Sequence, residues 1–126
     1  MELFTWNDKY SVNNEELDKH HKILFDILDR MYYSCFDMHN RYALYSVIDE
    51  FISYTQYHFP VEEQKMINIG YIDIDKHVSE HKTFIENILN IRYKNNDDKV
   101  VIKALIVNIG NKIINHVMME DKKYSI

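Results

Sequence analysis

The stretch HVSEHKTFIENILNI, residues 77–91, carries His77, His81, Phe84, Ile88 and Ile91 at steps of four, three, four and three. Side chains at those steps share one face of a 3.6-residue helix. The spacing predicts an amphipathic helix over about 75–93, and its buried stripe begins with two histidines. A histidine pair on a core-facing stripe needs partners, because an unpaired buried polar group is costly.

The same period, followed outward, predicts three more helices. One runs over about 16–37, with Leu17, Leu24, Leu28, Met31 and Cys35 on its stripe and His21 filling the gap. The polar NNEE before it suits a helix start. A second runs over about 41–66, where Leu44, Val47, Phe51 and Thr55 lead into His58 and Glu62. The last, over about 99–119, presents Ile102, Leu105, Ile109 and then His116. The intervening HNR, NIGYIDI and NNDD are short and turn-like. Four helices of similar length with short connections pack most simply as an all-α, up-down-up-down antiparallel four-helix bundle.

Composition agrees with one helical domain spanning 1–126. The 126 residues include only two Gly and one Pro, and a chain of this size can bury roughly two-thirds of its unfolded surface. The net charge of −5, with acids and bases mixed, supplies no basic stripe for a phosphate backbone and argues against a nucleic-acid partner. No apolar run approaches a membrane span, since VVIKALIVNIG is short and contains Lys103. The N-terminal MELFTWNDKYSVNN has no apolar core for a signal peptide. A single cysteine, Cys35, makes no internal disulfide and suits a reducing compartment. The expectation is a cytoplasmic protein without a membrane segment.

In the antiparallel topology, His21 near the start of the first helix, His58 and Glu62 near the end of the second, His77 and His81 near the start of the third, and His116 near the end of the fourth all fall at one end. An isolated buried histidine is ordinarily a core residue bonded to nearby backbone. Five of them with a glutamate, including two i, i+4 pairs, point instead to a metal site. Asp121, five residues after His116, does not share its face on an ideal helix. It joins the set if the helix tightens, widens or ends there, and otherwise is an exposed acid; spacing leaves both open. His20 is rotated by about 100° from His21 and is expected at the surface. His39 falls in the first connection, at the opposite end. Cys35 is too far along its helix from His21 to join.

Five imidazoles and two carboxylates are too many for one tetrahedral zinc. Imidazole with carboxylate suits paired iron or manganese, as helical bundles house them. Two six-coordinate ions, with both carboxylates and one oxide or hydroxide bridging, would leave a single position open to a small diatomic ligand.

The combined pattern resembles the hemerythrins, especially the single-domain bacterial ones. FTWNDKYSV resembles the family's extended N-terminal arm, and LDKHHKILF, HFPVEEQKM, GYIDIDKHVSEHKTF and HVMMED resemble its four ligand segments in order. The resemblance implies a pair of iron ions bridged by an oxo or hydroxo group, with O2 as the ligand. His77, His81 and His116 would bind one iron and His21 and His58 the other, with Glu62 and Asp121 bridging. It implies an apolar O2 pocket from Leu24, Phe59, Ile113 and Val117, which keeps out the water that promotes oxidation.

Two residues stand out from that pattern. Lys112, one turn before His116, takes a place where many family members carry tryptophan; a charged tip near the second iron would admit water and speed autoxidation. Pro60 lacks the N–H that would bond the Gln56 carbonyl, and is expected to bend the second helix between His58 and Glu62.

The resemblance implies a non-enzymatic protein that binds O2 reversibly for storage, transport or buffering. An oxygen sensor acting through a separate protein, and a diiron enzyme acting on peroxide or nitric oxide, are the alternatives. The sequence names no protein partner.

Overall fold

A computed structural model describes residues 4–35, 41–93 and 99–118. Its helices are α1, Glu15–Ser34; α2, Arg41–Asn68; α3, Ile74–Tyr93; and α4, Lys99–His116. No strand occurs among the described residues. Helix α1 packs on α2 and α4, and α3 packs on the same two. The start of α1 meets the end of α2, where the His21 and His58 rings are 5.1 Å apart, and the start of α3 meets the end of α4, where His77 and His116 are 4.2 Å apart. Neighbouring helices are therefore antiparallel, and the expected bundle is the one observed. Asp121 and His39 lie outside the described residues.

The stripes explain the packing. Leu17, Leu24, Leu28, Met31 and Cys35 are buried, as are Leu44, Phe51 and Thr55 and the whole set from His77 to Ile91. In α4 the expected Leu105 is 41% exposed, and Ile106 takes its place at 0%. Steps of four, three, four and three through Ile102, Ile106, Ile109, Ile113 and His116 hold one seam against the bundle, and Leu105 is rotated off it. Val47 likewise is half-buried beside the fully buried Ile48.

Asn14 caps α1 by accepting from the Leu17 N–H at 3.1 Å. The segment before it is not extended throughout: one turn of 3-10 helix, Asp8–Tyr10, interrupts it. It is fastened at two points. Asp18 accepts from the Val12 N–H at 2.9 Å and from Ser11 Oγ at 2.5 Å, and the buried Asp29 accepts from the Phe4 N–H at 2.6 Å. The Phe4 ring lies against Gly110 so closely that a Cβ there would be 2.3 Å from the ring. Glycine at 110 is what lets the arm seat on α4.

Helix α2 runs through Pro60 without ending. Both Pro60 and Gln56 are on the exposed side, so the carbonyl that loses its helical partner faces water, and the helix tolerates the proline.

Candidate metal centre

The antiparallel arrangement brings six of the seven predicted ligands together at one end. His77, His81 and His116 form one group, and His21, His58 and Glu62 form another, with the ligand atoms of each group within 4.8 Å of one another. All six side chains are buried, none more than 4% exposed. Past His116 the chain widens into a π-type turn at 117–118. Such a turn spaces side chains more widely than an α-helix, which is the departure that Asp121 requires, although Asp121 itself is outside the described residues.

Glu62 lies between the two groups. Its Oε1 is 2.5 Å from His58 Nε2 and 3.8 Å from His81 Nε2, and its Oε2 is 3.9 Å from His21 Nε2 and 4.0 Å from His77 Nε2. Burial pushes its carboxyl pKa up, but the charge on His58 and the approach of the His21 and His58 imidazoles outweigh burial and hold it well below the usual carboxylate range. A fully buried carboxylate requires positive charge beside it.

The donor set fits a metal cation. His81 points Nδ1 at Glu63 Oε1, 3.4 Å away, and His116 points Nδ1 at Glu80 Oε2, 2.5 Å away. A carboxylate accepts, so Nδ1 carries a proton in both rings, and in the neutral imidazole each Nε2 then turns a lone pair inward. His81 Nε2 is buried and has no hydrogen-bond partner, an orphaned acceptor that a cation would satisfy. His116 Nε2 lies 3.0 Å from His77 Nε2, about the separation of adjacent ligands around an ion held at roughly 2.1 Å. Burial lowers the His81 pKa despite Glu63 and Glu62, keeping the imidazole in its neutral, ligating form.

Aromatic rings wall this half: Phe59 stacks on His81 at 3.8 Å, and Phe84 meets His116 edge-on at 5.3 Å. The predicted apolar residues Leu24, Phe59, Ile113 and Val117 are all buried. Leu24, Phe59 and Ile113 share the main core. Val117 belongs instead to a smaller cluster with Val12, Leu17, Phe25 and Met66, and Ile114 packs on both clusters.

Two expectations need correction. His20 is not a surface residue: it is 6% exposed, with Nδ1 2.9 Å from His58 Nδ1 and its carbonyl accepting from Tyr54 Oη at 3.2 Å. The α1 stripe is broad enough on the α2 side to take in both His20 and His21. Burial, with the neighbouring His58, lowers the His20 pKa. Lys112 is exposed and lines a groove between α3 and α4 with Ser79, Glu80, Thr83, Phe84, Asn115 and His116. It therefore flanks the three-histidine group from outside and does not stand over the His21 and His58 side, because one turn along α4 from His116 leads outward here.

Glu63, Glu80 and His20 are the functional candidates that periodicity missed. Each is next in sequence to a ligand candidate, at the margin of a buried face, and hydrophobic spacing carries no signal for such a place.

The family model described as "Hemerythrin HHE cation binding domain" matches residues 12–125. The chain is 26% identical to a bacteriohemerythrin of Stenotrophomonas maltophilia, over 99% of this chain and 81% of that protein. It is also 26% identical to a bacteriohemerythrin of Clostridium acetobutylicum, over 97% and 98%, and 24% identical to a myohemerythrin of Theromyzon tessulatum, over 98% and 92%. Among solved structures, wild-type hemerythrin superposes with a TM-score of 0.83 at 24% identity, covering 98% of this chain and 95% of that one, which shows the shared fold. With the family match spanning nearly the whole chain, this protein belongs to the hemerythrin HHE cation-binding-domain family.

Proposed function

We propose that residues 1–126 form one domain that binds O2 reversibly at a non-haem pair of iron ions, for storage, transport or buffering and without turnover of a substrate. The observation that carries this reading is the position of Glu62, whose carboxylate lies within 4.0 Å of Nε2 atoms from both histidine groups. A bridging ligand belongs there. His77, His81 and His116 would hold one iron, His21 and His58 the other, and Glu62 and Asp121 would bridge them, with an oxo or hydroxo group completing the bridge. Hard carboxylate oxygens with imidazole nitrogens suit iron.

When bound, the iron pair supplies the two electrons that hold O2. The chain's own part is to orient the ligands and exclude water. Leu24, Phe59, Ile113 and Val117, all buried, would present no proton donor to the bound gas, which favours its return over loss as reduced oxygen. Membership of the family and the bacteriohemerythrin relatives support the reading. A buried Cys35, and described helices that are each too short or too polar to cross a membrane, fit a cytoplasmic setting.

The test is oxygen uptake by the ferrous protein. One O2 taken up per iron pair and recovered under vacuum is the expected result. Uptake that ends in released peroxide or superoxide, with no recoverable O2, overturns reversible binding.

A further inference from the structure

Three of the inward-facing histidines share one arrangement: Nε2 lies at the ligand cluster and Nδ1 lies against a buried or half-buried group that is not itself in the cluster. For His116 that group is Glu80 at 2.5 Å, for His81 it is Glu63 at 3.4 Å, and for His58 it is His20 at 2.9 Å. We propose that Glu80, Glu63 and His20 are positioning residues that fix the tautomer of His116, His81 and His58, with anionic partners on the three-histidine group and a neutral one on His58. The proposal rests on the reading that these histidines bind metal.

An imidazole that ligates through Nε2 must carry its proton on Nδ1, and that proton needs an acceptor when buried. Glu80 and Glu63 are acceptors by charge. His20 accepts through Nδ1 only as the tautomer protonated on Nε2, so the pair His58 and His20 has one consistent arrangement: His58 Nδ1–H donates to His20 Nδ1. Packing holds it there, since His20 lies edge-on to His58 at 5.0 Å and against Tyr57 at 5.3 Å.

A carboxylate behind an imidazole makes it a stronger electron donor than a neutral acceptor does. His116 and His81 are thereby better donors than His58 would be with the same geometry. The shorter contact makes Glu80 the stronger of the two carboxylate partners.

Loading the full chain with Co(II) tests this, with metal affinity measured by chelator competition and the Nδ1–H protons observed as hyperfine-shifted, solvent-exchangeable NMR signals. Glu80→Ala is expected to weaken binding by about 10- to 100-fold and to lose one shifted N–H signal by fast exchange; Glu80→Gln, which keeps an acceptor, retains the signal and loses less affinity. Glu63→Ala should cost less than Glu80→Ala. His20→Leu should weaken binding, His20→Asn should restore it, and His20→Asp should bind more tightly than the unaltered chain. Melting of the metal-free variants checks folding, and if Glu80→Ala does not fold, Glu80→Gln carries the comparison. Metal uptake with unchanged affinities and signals in these variants overturns the proposal alone. An unaltered chain that takes up no metal overturns the underlying reading as well.

Discussion

Glu62 Oε1 lies 2.5 Å from His58 Nε2, and both side chains are buried. Without a metal, a proton on the imidazole accommodates that approach; with a cation bound, both atoms would face it instead. Because the same carboxylate also approaches His21, His77 and His81, Glu62→Gln is expected to reduce iron at both positions together, by more than the roughly 10- to 100-fold typical of losing an outer partner. His58→Ala should empty mainly one position. Iron analysis after equilibrium dialysis distinguishes them, and a Glu62→Gln chain that retains one tightly held iron contradicts the shared role.

Gly110 and Phe4 give a prediction with a sign reversal. Alanine is the better helix former by about 1 kcal/mol, but a Cβ at position 110 would sit 2.3 Å from the Phe4 ring, and overpacking costs about 1–3 kcal/mol. Gly110→Ala alone is expected to destabilise and to shift the fluorescence of Trp6, which packs in the same arm on Phe25. Placed in a Phe4→Ala background, the same substitution should stabilise by about 1 kcal/mol. Denaturant melts of the four chains would measure the coupling.

Acid should destabilise the metal-free chain in a defined window. Burial holds the folded-state pKa of His81, and of His20, below the ordinary 6.5. Between the lowered value and 6.5 the unfolded chain binds more protons, so this stability is fully present above about pH 6.5 and is lost as pH falls through the folded value. Glu62, held well below its ordinary 4.5, contributes in the same direction at lower pH: its stability is present above 4.5 and lost as pH falls through the folded value. Melting temperature measured from pH 7.5 to 5.0 should fall steadily. A rise over that range would contradict the burial of neutral imidazoles.

Pro60 is on the exposed side of α2, two residues from both His58 and Glu62 and so turned well away from them. Pro60→Ala restores an N–H to the Gln56 carbonyl, worth up to about 3 kcal/mol in a helix interior and less where water already bonds that carbonyl. A higher melting temperature with unchanged iron content is expected. Reduced iron content in a more stable chain would show that the proline aims the two ligands.

The bundle was legible because α1 and α3 separate polar and apolar faces cleanly and little Gly or Pro interrupts the helices. Helix α4 was harder: VVIKALIVNIG is apolar on nearly every side, so Leu105 and Ile106 fit the period almost equally, and only packing selects Ile106. The clustering of His21, His58, His77, His81 and His116 was legible because each falls on an apolar stripe at helical spacing, at the same end of the bundle. Their outer partners were not, since Glu63 and Glu80 resemble ordinary surface acids until a neighbouring helix brings His81 and His116 to them. His20 was misjudged for a related reason: a stripe one residue wide is too narrow for a helix that contacts two neighbours. The side of α4 on which Lys112 falls likewise depends on how that helix is turned, which a spacing from His116 does not give.

The most direct test of the iron-pair account is the visible spectrum of the iron-loaded chain while O2 is admitted and withdrawn over several cycles, with iron content measured on the same sample. The account predicts a charge-transfer band that grows with O2, vanishes on its removal and returns at the same intensity. Confirmed iron with no O2-dependent band, or a band that forms once and cannot be reversed, would contradict it.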